Sequence, residues 1–332
     1  MTTRIFGPCS AESREQVMET AGAICAVCGS TSFIFRAGVW KPRTSPRKFQ
    51  GAGEQALEWL QEVKHTYGID VATEVATPEH VAAALKAGID YLWIGARTSA
   101  NPLAVQALAD ALTAQRFVRC QPKAVLIKNP VNADADLWLG NIERLEKTGI
   151  PVMAVHRGCN HQPCWKMAHL VRTRRPDIPM LLDPSHMSGN AERVPELLTK
   201  ITELALDGAM IEVHAHPETA LSDAKQQITP ENLGLLGPLG PLGRLVNPEL
   251  NWLRAEIDEL DDALWDTIAA RMDVSRRIGE WKKANGVTPL QPQRFEQILS
   301  QRIEWAKLNG LDTELVTQVM EAIHKESLKQ QK

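Results

Sequence analysis

Eight short apolar runs, separated by stretches of helical length, fill the first 215 residues of this chain. The runs are Arg4–Cys9, Phe33–Lys41, Asp70–Val75, Tyr91–Arg97, Ala124–Lys128, Pro151–Arg157, Met180–Asp183 and Ala209–His214. This alternation predicts a parallel sheet, and eight repeats predict a (β/α)8 TIM barrel. A charged or metal-binding side chain stands at or just past the end of each run: Cys9, Lys41 with Arg43, Glu74, Arg97, Lys128, Arg157, His186 and Glu212. Because the carboxyl ends of barrel strands form the active site in this fold, the sequence predicts an enzyme.

The composition argues against several classes of function. The net charge of −3 gives no electrostatic reason to expect a nucleic acid or an anionic membrane as a partner. The longest apolar runs have the length of strands and are far shorter than a membrane-spanning helix. The first residues lack the apolar core of a signal peptide, so we expect a cytoplasmic protein.

Six cysteines raise the question of disulfides or metal sites. Disulfides are not the rule in a cytoplasmic protein, and Cys25 and Cys28 form a C-x-x-C pair without a second such pair at zinc spacing. We expect buried or inert thiols there, with redox chemistry or metal binding as the alternative. Cys159 and Cys164 flank His161, and we expect an ordinary loop rather than a metal site there.

A change of pattern near residue 230 predicts two domains and a linker. The predicted parts are a barrel over 1–230, a Gly/Pro/Leu-rich linker over 231–249 and an all-helical domain over 250–332. Apolar residues recur at three and four positions after residue 250, which predicts helices over about 250–284, 292–308 and 312–330. A rod of roughly 50 Å cannot bury one face within so small a domain, so we expect an intertwined helical homodimer.

Barrel closure predicts a metal site. Strand 8 pairs with strand 1 in a closed barrel, so the ends of strands 7, 8 and 1 are neighbours and bring together His186, Glu212 and Cys9. Asp223, eleven residues after Glu212, can reach the same place. A thiolate, an imidazole and two carboxylates suit a divalent transition metal, for which we expect manganese, with iron, cobalt and zinc as alternatives.

Cations dominate the other side of the predicted barrel mouth. They are Arg36, Lys41, Arg43, Arg97, Lys128 and Arg157. Six like charges repel one another unless anions lie among them, and guanidinium groups suit phosphate and carboxylate oxygens. We therefore expect phosphorylated small molecules as ligands; the alternative is a set of surface cations paired with acids.

Several motifs over residues 4–225 resemble those of 3-deoxy-D-arabino-heptulosonate 7-phosphate (DAHP) synthases, in the short subclass of the main type. The motifs are Gly7–Ser13, Lys41–Pro46, Phe49–Gly53, Thr73-Glu74, Ile94–Arg97, Leu182–His186, Ile211–His214 and Leu221–Asp223. The Lys-Pro-Arg-Thr-Ser-Pro stretch distinguishes this family from the octulosonate 8-phosphate synthases, which carry an asparagine-containing sequence there. A related synthase that uses phosphoenolpyruvate with another sugar is the second interpretation.

The resemblance implies condensation of phosphoenolpyruvate with erythrose 4-phosphate and release of phosphate. It assigns metal binding to Cys9, His186, Glu212 and Asp223. It assigns phosphoenolpyruvate to Arg36, Lys41, Arg97, Lys128 and Arg157, and the sugar phosphate to Arg43, Thr44 and Ser45. The expected catalytic residues are Lys41, Glu74, Lys128 and His186. In this chain Asn129 and Pro130 follow Lys128 where many relatives have arginine and glycine, so we expect a different loop there, and His216 is an additional histidine that we expect to be exposed or supporting.

The helical domain carries a second set of cations. Arg271 and Lys282 are eleven residues apart, about 20° round a helix, and Ser327 and Gln331 are four apart, so each pair shares a face. The spacing over residues 250–331 resembles the all-helical chorismate mutases. That resemblance assigns the substrate to Arg254 of a partner chain, Arg271, Arg294, Lys282, Ser327 and Gln331, with Lys282 and Gln331 catalytic at the ether oxygen. Gln291 and Phe295 stand where these mutases often have acids.

Together the two resemblances imply a bifunctional enzyme of aromatic amino-acid biosynthesis. Its ligands would be phosphoenolpyruvate, erythrose 4-phosphate and chorismate or prephenate, and binding of prephenate or chorismate to the helical domain would inhibit the synthase. The alternative is a synthase whose helical domain is catalytically weak and serves only for dimerisation and ligand sensing.

Overall fold

The structure, a computed structural model, describes residues 2–42, 45, 47–115, 121–236 and 248–331. Eight parallel strands form a closed barrel in which each strand pairs with the next and the last pairs with the first. The strands are β1 (Thr3–Gly7), β2 (Ile34–Arg36), β3 (Asp70–Val75), β4 (Tyr91–Ile94), β5 (Ala124–Lys128), β6 (Val152–His156), β7 (Met180–Leu182) and β8 (Gly208–Glu212). The predicted (β/α)8 barrel is confirmed.

The closing pair is a ladder of five residues on each strand. It runs from Thr3 opposite Gly208 to Gly7 opposite Glu212. Gly7 has φ +145°, and a Cβ there would lie 2.1 Å from the carbonyl oxygen of Arg36. Only glycine therefore allows β1 and β2 to approach at this level, directly below the predicted site.

A layer of apolar side chains, one from each strand, fills the barrel interior. They are Ile5, Ile34, Ala72, Trp93, Leu126, Val155, Leu181 and Met210. Successive side chains of a strand point to opposite faces, so the alternate residues pack outward against the surrounding helices. The interior layer is solid and supports the polar residues at the strand ends above it.

Several helices of the first part of the chain begin at recognisable capping residues. Thr77 accepts from the backbone N–H of His80, and Asp134 accepts from that of Leu137, so each satisfies an otherwise unpaired donor. The helices are α1 (Arg14–Cys28), α2 (Gln55–Tyr67), α3 (Pro78–Lys86), α4 (Ala96–Ser99), α5 (Pro102–Ala114), α6 (Ala135–Glu146), α7 (Trp165–Arg174), α8 (Pro184–Ser188), α9 (Val194–Glu203) and α10 (Pro230–Leu235).

Several predicted bounds were wrong in detail, and three of the differences are the largest. The second strand ends at Arg36 rather than Lys41, because beyond it the N–H of Gly38 bonds to Cys9 and that of Lys41 bonds to Gln50. Arg97 lies in the short helix α4 and not at a strand end. The helix α10 forms inside the predicted linker, because Thr229 caps it and a proline is tolerated in its first turn.

The chain divides into two compact units, Met1–Glu256 and Ile257–Lys332. The second part of the chain is helical, as predicted: α11 is Pro248–Ala284, α12 is Pro292–Leu308 and α13 is Thr313–Gln330. Within the residues that the structure describes, no helix is both long and apolar enough to cross a membrane.

The first turns of α11 belong to the barrel unit and pack on α7. The Trp252 side chain is buried, stacks on the His169 ring at 5.4 Å and meets the Trp165 ring edge-on at 6.1 Å. The two ring nitrogens of His169 contact Glu256 at 2.6 Å and Glu249 at 3.1 Å. These contacts fix the start of α11 against the barrel.

His156, at the end of β6, is buried between the rings of Trp138 and Trp165. Among the described residues neither ring nitrogen has a well-formed hydrogen-bond partner, although the Pro163 carbonyl is near enough to favour the protonated ring. Burial outweighs that carbonyl and lowers the pKa of His156 to about 4. The imidazole is therefore neutral in the folded barrel at neutral pH.

This burial makes barrel stability depend on pH. Between about pH 6.5 and pH 4 the unfolded chain takes up a proton at His156 that the folded chain does not, so the free energy of unfolding decreases as pH falls. The shift corresponds to about 3 kcal/mol over that window. We expect His156→Phe to remove this part of the acid destabilisation, measured by urea unfolding of the barrel at pH 7 and pH 4.5. His65→Phe, which alters an exposed histidine, is the control; an unchanged pH dependence in His156→Phe would contradict the assignment.

Candidate active sites

A cavity of about 450 Å³ opens at the carboxyl ends of the barrel strands. Its lining is mostly polar and rich in cations. The lining residues are Lys41, Pro42, Lys48, Glu74, Trp93, Gly95, Ala96, Arg97, Lys128, Val131, Arg157, Asn160, His161, His186, Asp223 and Gln226. A concave site with convergent charged groups at this end of a barrel is a candidate active site.

Arg36 lies beside this cavity and is 1% exposed. Its Nη2 donates to Glu212 Oε1 at 3.1 Å, and its guanidinium lies over the Trp93 ring, 4.7 Å from the centroid. Among the described residues its Nε and Nη1 have no hydrogen-bond partner. Buried donors without partners are costly, so this guanidinium is suited to an anionic ligand.

A polar cluster at the ends of β5 and β7 consists of buried Lys128 and Asp183 and half-buried His186. Lys128 Nζ lies 2.6 Å from Asp183 Oδ2, and His186 Nδ1 lies 2.9 Å from the same oxygen. Burial lowers the pKa of Lys128. Burial alone would raise the pKa of Asp183, but the charges of His186 and Lys128 outweigh it and hold that pKa well below its ordinary value. Asp183 thus orients both predicted site residues.

Lys41 and Glu74 form a second buried pair, with Nζ 3.5 Å from Oε2. Lys41 Nζ also donates to the Cys9 carbonyl at 3.1 Å. Burial disfavours the ammonium charge, but Cys9, Glu74 and Glu212 outweigh it and raise the pKa of Lys41. Gly95 leaves room for the Glu74 carboxylate, since a Cβ there would lie 2.1 Å from Oε1. Lys41 is therefore a charged proton donor held beside a carboxylate.

The four predicted metal ligands meet in pairs. Cys9 Sγ donates to Asp223 Oδ2 at 3.1 Å, and His186 Nε2 lies 3.6 Å from Glu212 Oε1. Burial first, and then the charge of Glu212, raises the pKa of Cys9 to about 12, so the thiol is protonated beside these carboxylates. Across the described parts of the chain, no three His, Cys, Asp or Glu side chains are arranged as ligands of one ion. The metal site therefore stays a prediction.

The remaining predicted residues of the barrel have different positions. Arg97 and Arg157 line the cavity, whereas Ser45 is not among the lining residues, and Arg43 and Thr44 lie outside the described residues. His216 is exposed, with its Nε2 3.0 Å from Glu19 Oε1.

Sequence reasoning missed several lining residues and supporting contacts. Gln226 donates to Glu212 Oε2 at 2.7 Å and is buried. Asn160 and His161 reach the cavity from the loop after β6. Asp183 stands at the end of a predicted strand, and that position could have marked it as a site residue. Nothing in the sequence marks Gln226 in the same way.

The helical unit holds four of the predicted residues together. Lys282 Nζ donates to Gln331 Oε1 at 3.0 Å and to the Pro289 carbonyl at 2.8 Å. Arg271 donates to the Ser327 hydroxyl. Gly279 lets α13 approach α11, because a Cβ there would lie 2.5 Å from the Cα of Gln331. Two cations and two neutral hydrogen-bonding groups thus face one another.

Two other predicted residues are placed differently. Arg294 is exposed and donates to Gln297 at 2.7 Å. Arg254 is exposed on the part of α11 that belongs to the barrel unit.

An aromatic pair lies in the helical unit where the sequence departs from the mutase pattern. Phe295 stacks on the His324 ring, with centroids 4.0 Å apart and planes 15° from parallel. Burial, together with the positive charges of Arg271 and Lys282, lowers the pKa of His324. Sequence reasoning noted Phe295 but missed His324, which stands one helical turn before Ser327.

Comparison with known proteins agrees with both parts of the chain. A model of the DAHP synthetase I family matches residues 2–240, and a model of chorismate mutase type II matches residues 253–332. A phospho-2-dehydro-3-deoxyheptonate aldolase of Thermotoga maritima is 32% identical over 233 residues, which cover 68% of this chain and 65% of that protein. A 2-dehydro-3-deoxyphosphooctonate aldolase of Azoarcus sp. is 28% identical over 239 residues, which cover 66% of this chain and 82% of that protein.

A solved structure shares the barrel. The crystal structure of the Thermotoga maritima phospho-2-dehydro-3-deoxyheptonate aldolase has a TM-score of 0.61 and 31% identity, and the match covers 71% of this chain and 67% of that chain. This chain spans just under two thirds of the length of the Thermotoga sequence relative, at 65%. With a family model matched over residues 2–240, the chain belongs to the DAHP synthetase I family, and it carries a chorismate mutase type II match after the barrel.

Proposed function

We propose that the barrel condenses phosphoenolpyruvate with erythrose 4-phosphate to DAHP and phosphate, and that the helical unit rearranges chorismate to prephenate. The observation that carries the first proposal is buried Arg36, which stacks on the cavity-lining residue Trp93 and, among the described residues, has two donors without a hydrogen-bond partner. The proposed division is a synthase barrel over 1–230, a linker over 231–249 and a mutase domain over 250–332. A cytoplasmic location stays a prediction from the sequence.

The cation arrangement supports a substrate with several negative charges. The cavity is lined by Lys41, Arg97, Lys128 and Arg157, and Lys48 adds a fifth cation at its exposed side. Glu74 and Asp183 pair with Lys41 and Lys128, whereas the positive charges of the other cavity cations repel one another unless further anionic oxygens lie among them. Phosphoenolpyruvate carries a carboxylate and a phosphate, which suit guanidinium and ammonium donors on different sides. Arg43, Thr44 and Ser45 are proposed to hold the phosphate of the sugar.

The pair of Lys41 and Glu74 supports the proposed chemistry. The methylene carbon of phosphoenolpyruvate forms a bond to the aldehyde carbon, and Lys41 donates a proton to the oxygen that becomes a hydroxyl. Water then adds to the electron-poor C2 and returns one proton to Lys41. The new C2 hydroxyl becomes the carbonyl oxygen as the C2–O bond to phosphate breaks, and phosphate leaves with the other proton. The Glu74 carboxylate, 3.5 Å from Lys41, is placed to stabilise the cationic carbon or to orient that water.

Cys9, His186, Glu212 and Asp223 are proposed to hold a divalent metal. Their support is the donor chemistry and the mutual proximity seen in the 3.1 Å and 3.6 Å contacts. When bound, such an ion would polarise the aldehyde as a Lewis acid. Manganese is proposed first, with iron, cobalt or zinc as alternatives.

The helical unit supports a different kind of catalysis. A Claisen rearrangement requires a folded substrate and donors at the breaking ether bond, with no covalent intermediate. Lys282 and Gln331, 3.0 Å apart, are proposed to meet the ether oxygen, and Arg271 with Ser327 would hold a carboxylate. Phe295 favours a second candidate function, in which this unit is a dimerisation and ligand-sensing module. It stands where mutases of this type often have an acid, so the polar contact of that acid with the substrate is lost.

We also propose that two chains dimerise through the helical unit. Several large apolar side chains of that unit are exposed in the single chain. They are Ile257, Leu260, Leu264, Trp265, Val274, Ile278, Trp281, Leu290, Trp305, Leu308, Leu311, Leu315 and Val319. A soluble monomer rarely leaves so much apolar surface in water, and a second copy offers the same surface in return. A partner chain would also explain how Arg254 reaches the substrate.

Chelation and substrate choice test the synthase proposal. We expect phosphate release from phosphoenolpyruvate with erythrose 4-phosphate, loss of that activity in EDTA, and recovery on adding manganese. Ribose 5-phosphate and arabinose 5-phosphate should react at least tenfold more slowly, and faster turnover of arabinose 5-phosphate would favour the related synthase. Arg36→Ala should reduce kcat/KM by about 100-fold or more, whereas Arg174→Ala at the surface should not.

Saturating prephenate should inhibit the synthase activity of the full chain. Unchanged synthase kinetics in the presence of prephenate would dismiss the feedback proposal.

A neighbouring pair of lysines tests the mutase proposal. Lys282→Ala should reduce kcat for chorismate by about 100- to 1,000-fold, because it removes a donor at the site of developing charge. Lys283→Ala changes the next, exposed residue and should have little effect. Synthase activity without effectors should persist in both variants. A wild-type chain that binds prephenate without converting chorismate would support the sensing module instead.

Charged substitutions on the apolar surface test dimerisation. We expect the wild-type chain to have twice the monomer mass by light scattering, and Leu260→Asp with Leu264→Asp to lower it. Asp266→Ala on the same helix is the control and should leave the mass unchanged. A monomeric wild-type chain at micromolar concentration would exclude the proposed dimer.

A further inference from the structure

We propose that Asn129 is a positioning residue that fixes the backbone of Arg157 and the loop beyond it where the barrel binds its anionic substrate. This inference rests on the proposed synthase function. It concerns the Asn-Pro pair that follows Lys128, where many relatives have arginine and glycine. The proposed synthase function alone does not explain this difference.

The Asn129 side chain links the ends of two adjacent strands. The residue is fully buried directly after β5, and its backbone N–H donates to the Val155 carbonyl at 3.1 Å. Its Oδ1 accepts from the backbone N–H of Arg157 at 2.7 Å. Its Nδ2 donates to the carbonyls of Gly158 at 3.0 Å and Pro130 at 2.9 Å. The amide thus continues the β5–β6 pairing beyond the point where the strands end.

The chemistry of these contacts selects asparagine. One side chain must accept from Arg157 N–H and donate to the Gly158 carbonyl in the same place. Aspartate can only accept when ionised, and arginine or lysine can only donate. An arginine at this position would also add a cation between Lys128 and Arg157. A short neutral amide satisfies both partners without changing the charge of the site.

The segment held by Asn129 is a tight turn rather than a loose loop. Cys159 and Gln162 exchange two backbone hydrogen bonds of 2.9 Å, and between them Asn160 and His161 have φ of +51° and +62°. Positive φ at both central residues is the geometry of a two-residue hairpin turn. The turn directs Asn160 and His161 into the cavity lining, next to Arg157.

The consequence of losing the amide should be specific. Arg157 would lose the acceptor that fixes its backbone, while the other cavity cations would keep their contacts. A shift of a binding residue by about 1 Å can reduce catalysis by about 100-fold. We therefore expect weaker binding of phosphoenolpyruvate, with the KM for the sugar phosphate little changed.

The test combines substitutions at Asn129, Arg157 and Asn141. Asn129→Ala should raise the KM for phosphoenolpyruvate about tenfold or more, and Asn129→Asp, which keeps the acceptor but loses the donor and adds a negative charge, should raise it as well. Asn141→Ala is the matched control, because it removes another fully buried asparagine that donates to a carbonyl at 2.8 Å and does not line the cavity. It should lower the melting temperature and leave that KM within twofold.

A double-mutant cycle separates positioning from general destabilisation. If Asn129 acts through Arg157, Asn129→Ala should have little further effect on KM in an Arg157→Ala background. An equal effect in both backgrounds, or an unchanged KM in a folded Asn129→Ala protein, would overturn the inference. Calorimetric titration of phosphoenolpyruvate into the same four proteins repeats the cycle as a binding measurement. If the wild-type chain binds phosphoenolpyruvate without turning it over, the synthase proposal is refuted, but the binding cycle still tests the role of Asn129. If the wild-type chain does not bind phosphoenolpyruvate, both the synthase proposal and the Asn129 inference are overturned.

Discussion

The pairing of the first barrel strand with the last is the interaction on which the site depends. Gly7 stands opposite Glu212 in that ladder, and Cys9 follows two residues later. A thiol near the beginning of the chain therefore lies within electrostatic reach of carboxylates more than 200 residues away. A slip of one residue would turn each side chain of the strand to the other face, so register and site chemistry are specified together.

The architecture could be predicted from the spacing of apolar residues along the chain. The ends of the strands could not, because they depend on hydrogen bonds between residues outside the local pattern. The eight strands follow from short apolar runs, and the three late helices follow from apolar residues that recur at three and four positions. The end of β2 does not, because the N–H of Lys41 finds its acceptor in Gln50 and not in the ladder. Arg97 was assigned to a strand end because its run is apolar up to that point, whereas Gly95 begins a helix there.

Site residues could be predicted when their own position in the sequence, such as a strand end or a motif, marked them. The residues that support them could not be predicted in this way. Lys128 and His186 stand at or near strand ends, but Asp183 becomes their common partner only when β5 and β7 converge. Similarly, Phe295 was visible as a departure, whereas its stacking on His324 depends on how α12 packs against α13. Three-dimensional proximity between distant positions is information that one sequence does not display.

The buried charges of the barrel mouth are balanced before any substrate binds. Arg36 is paired with Glu212, Lys41 with Glu74 and Lys128 with Asp183, so each buried cation has a buried carboxylate. An unpaired charge at such depth would destabilise the fold by several kcal/mol, and these pairs avoid that. Arg36 keeps two further donors, so an anion can bind there without breaking the pair that stabilises the empty barrel. The exposed cation Arg97 and the half-buried cation Arg157 then supply the net positive charge that attracts it.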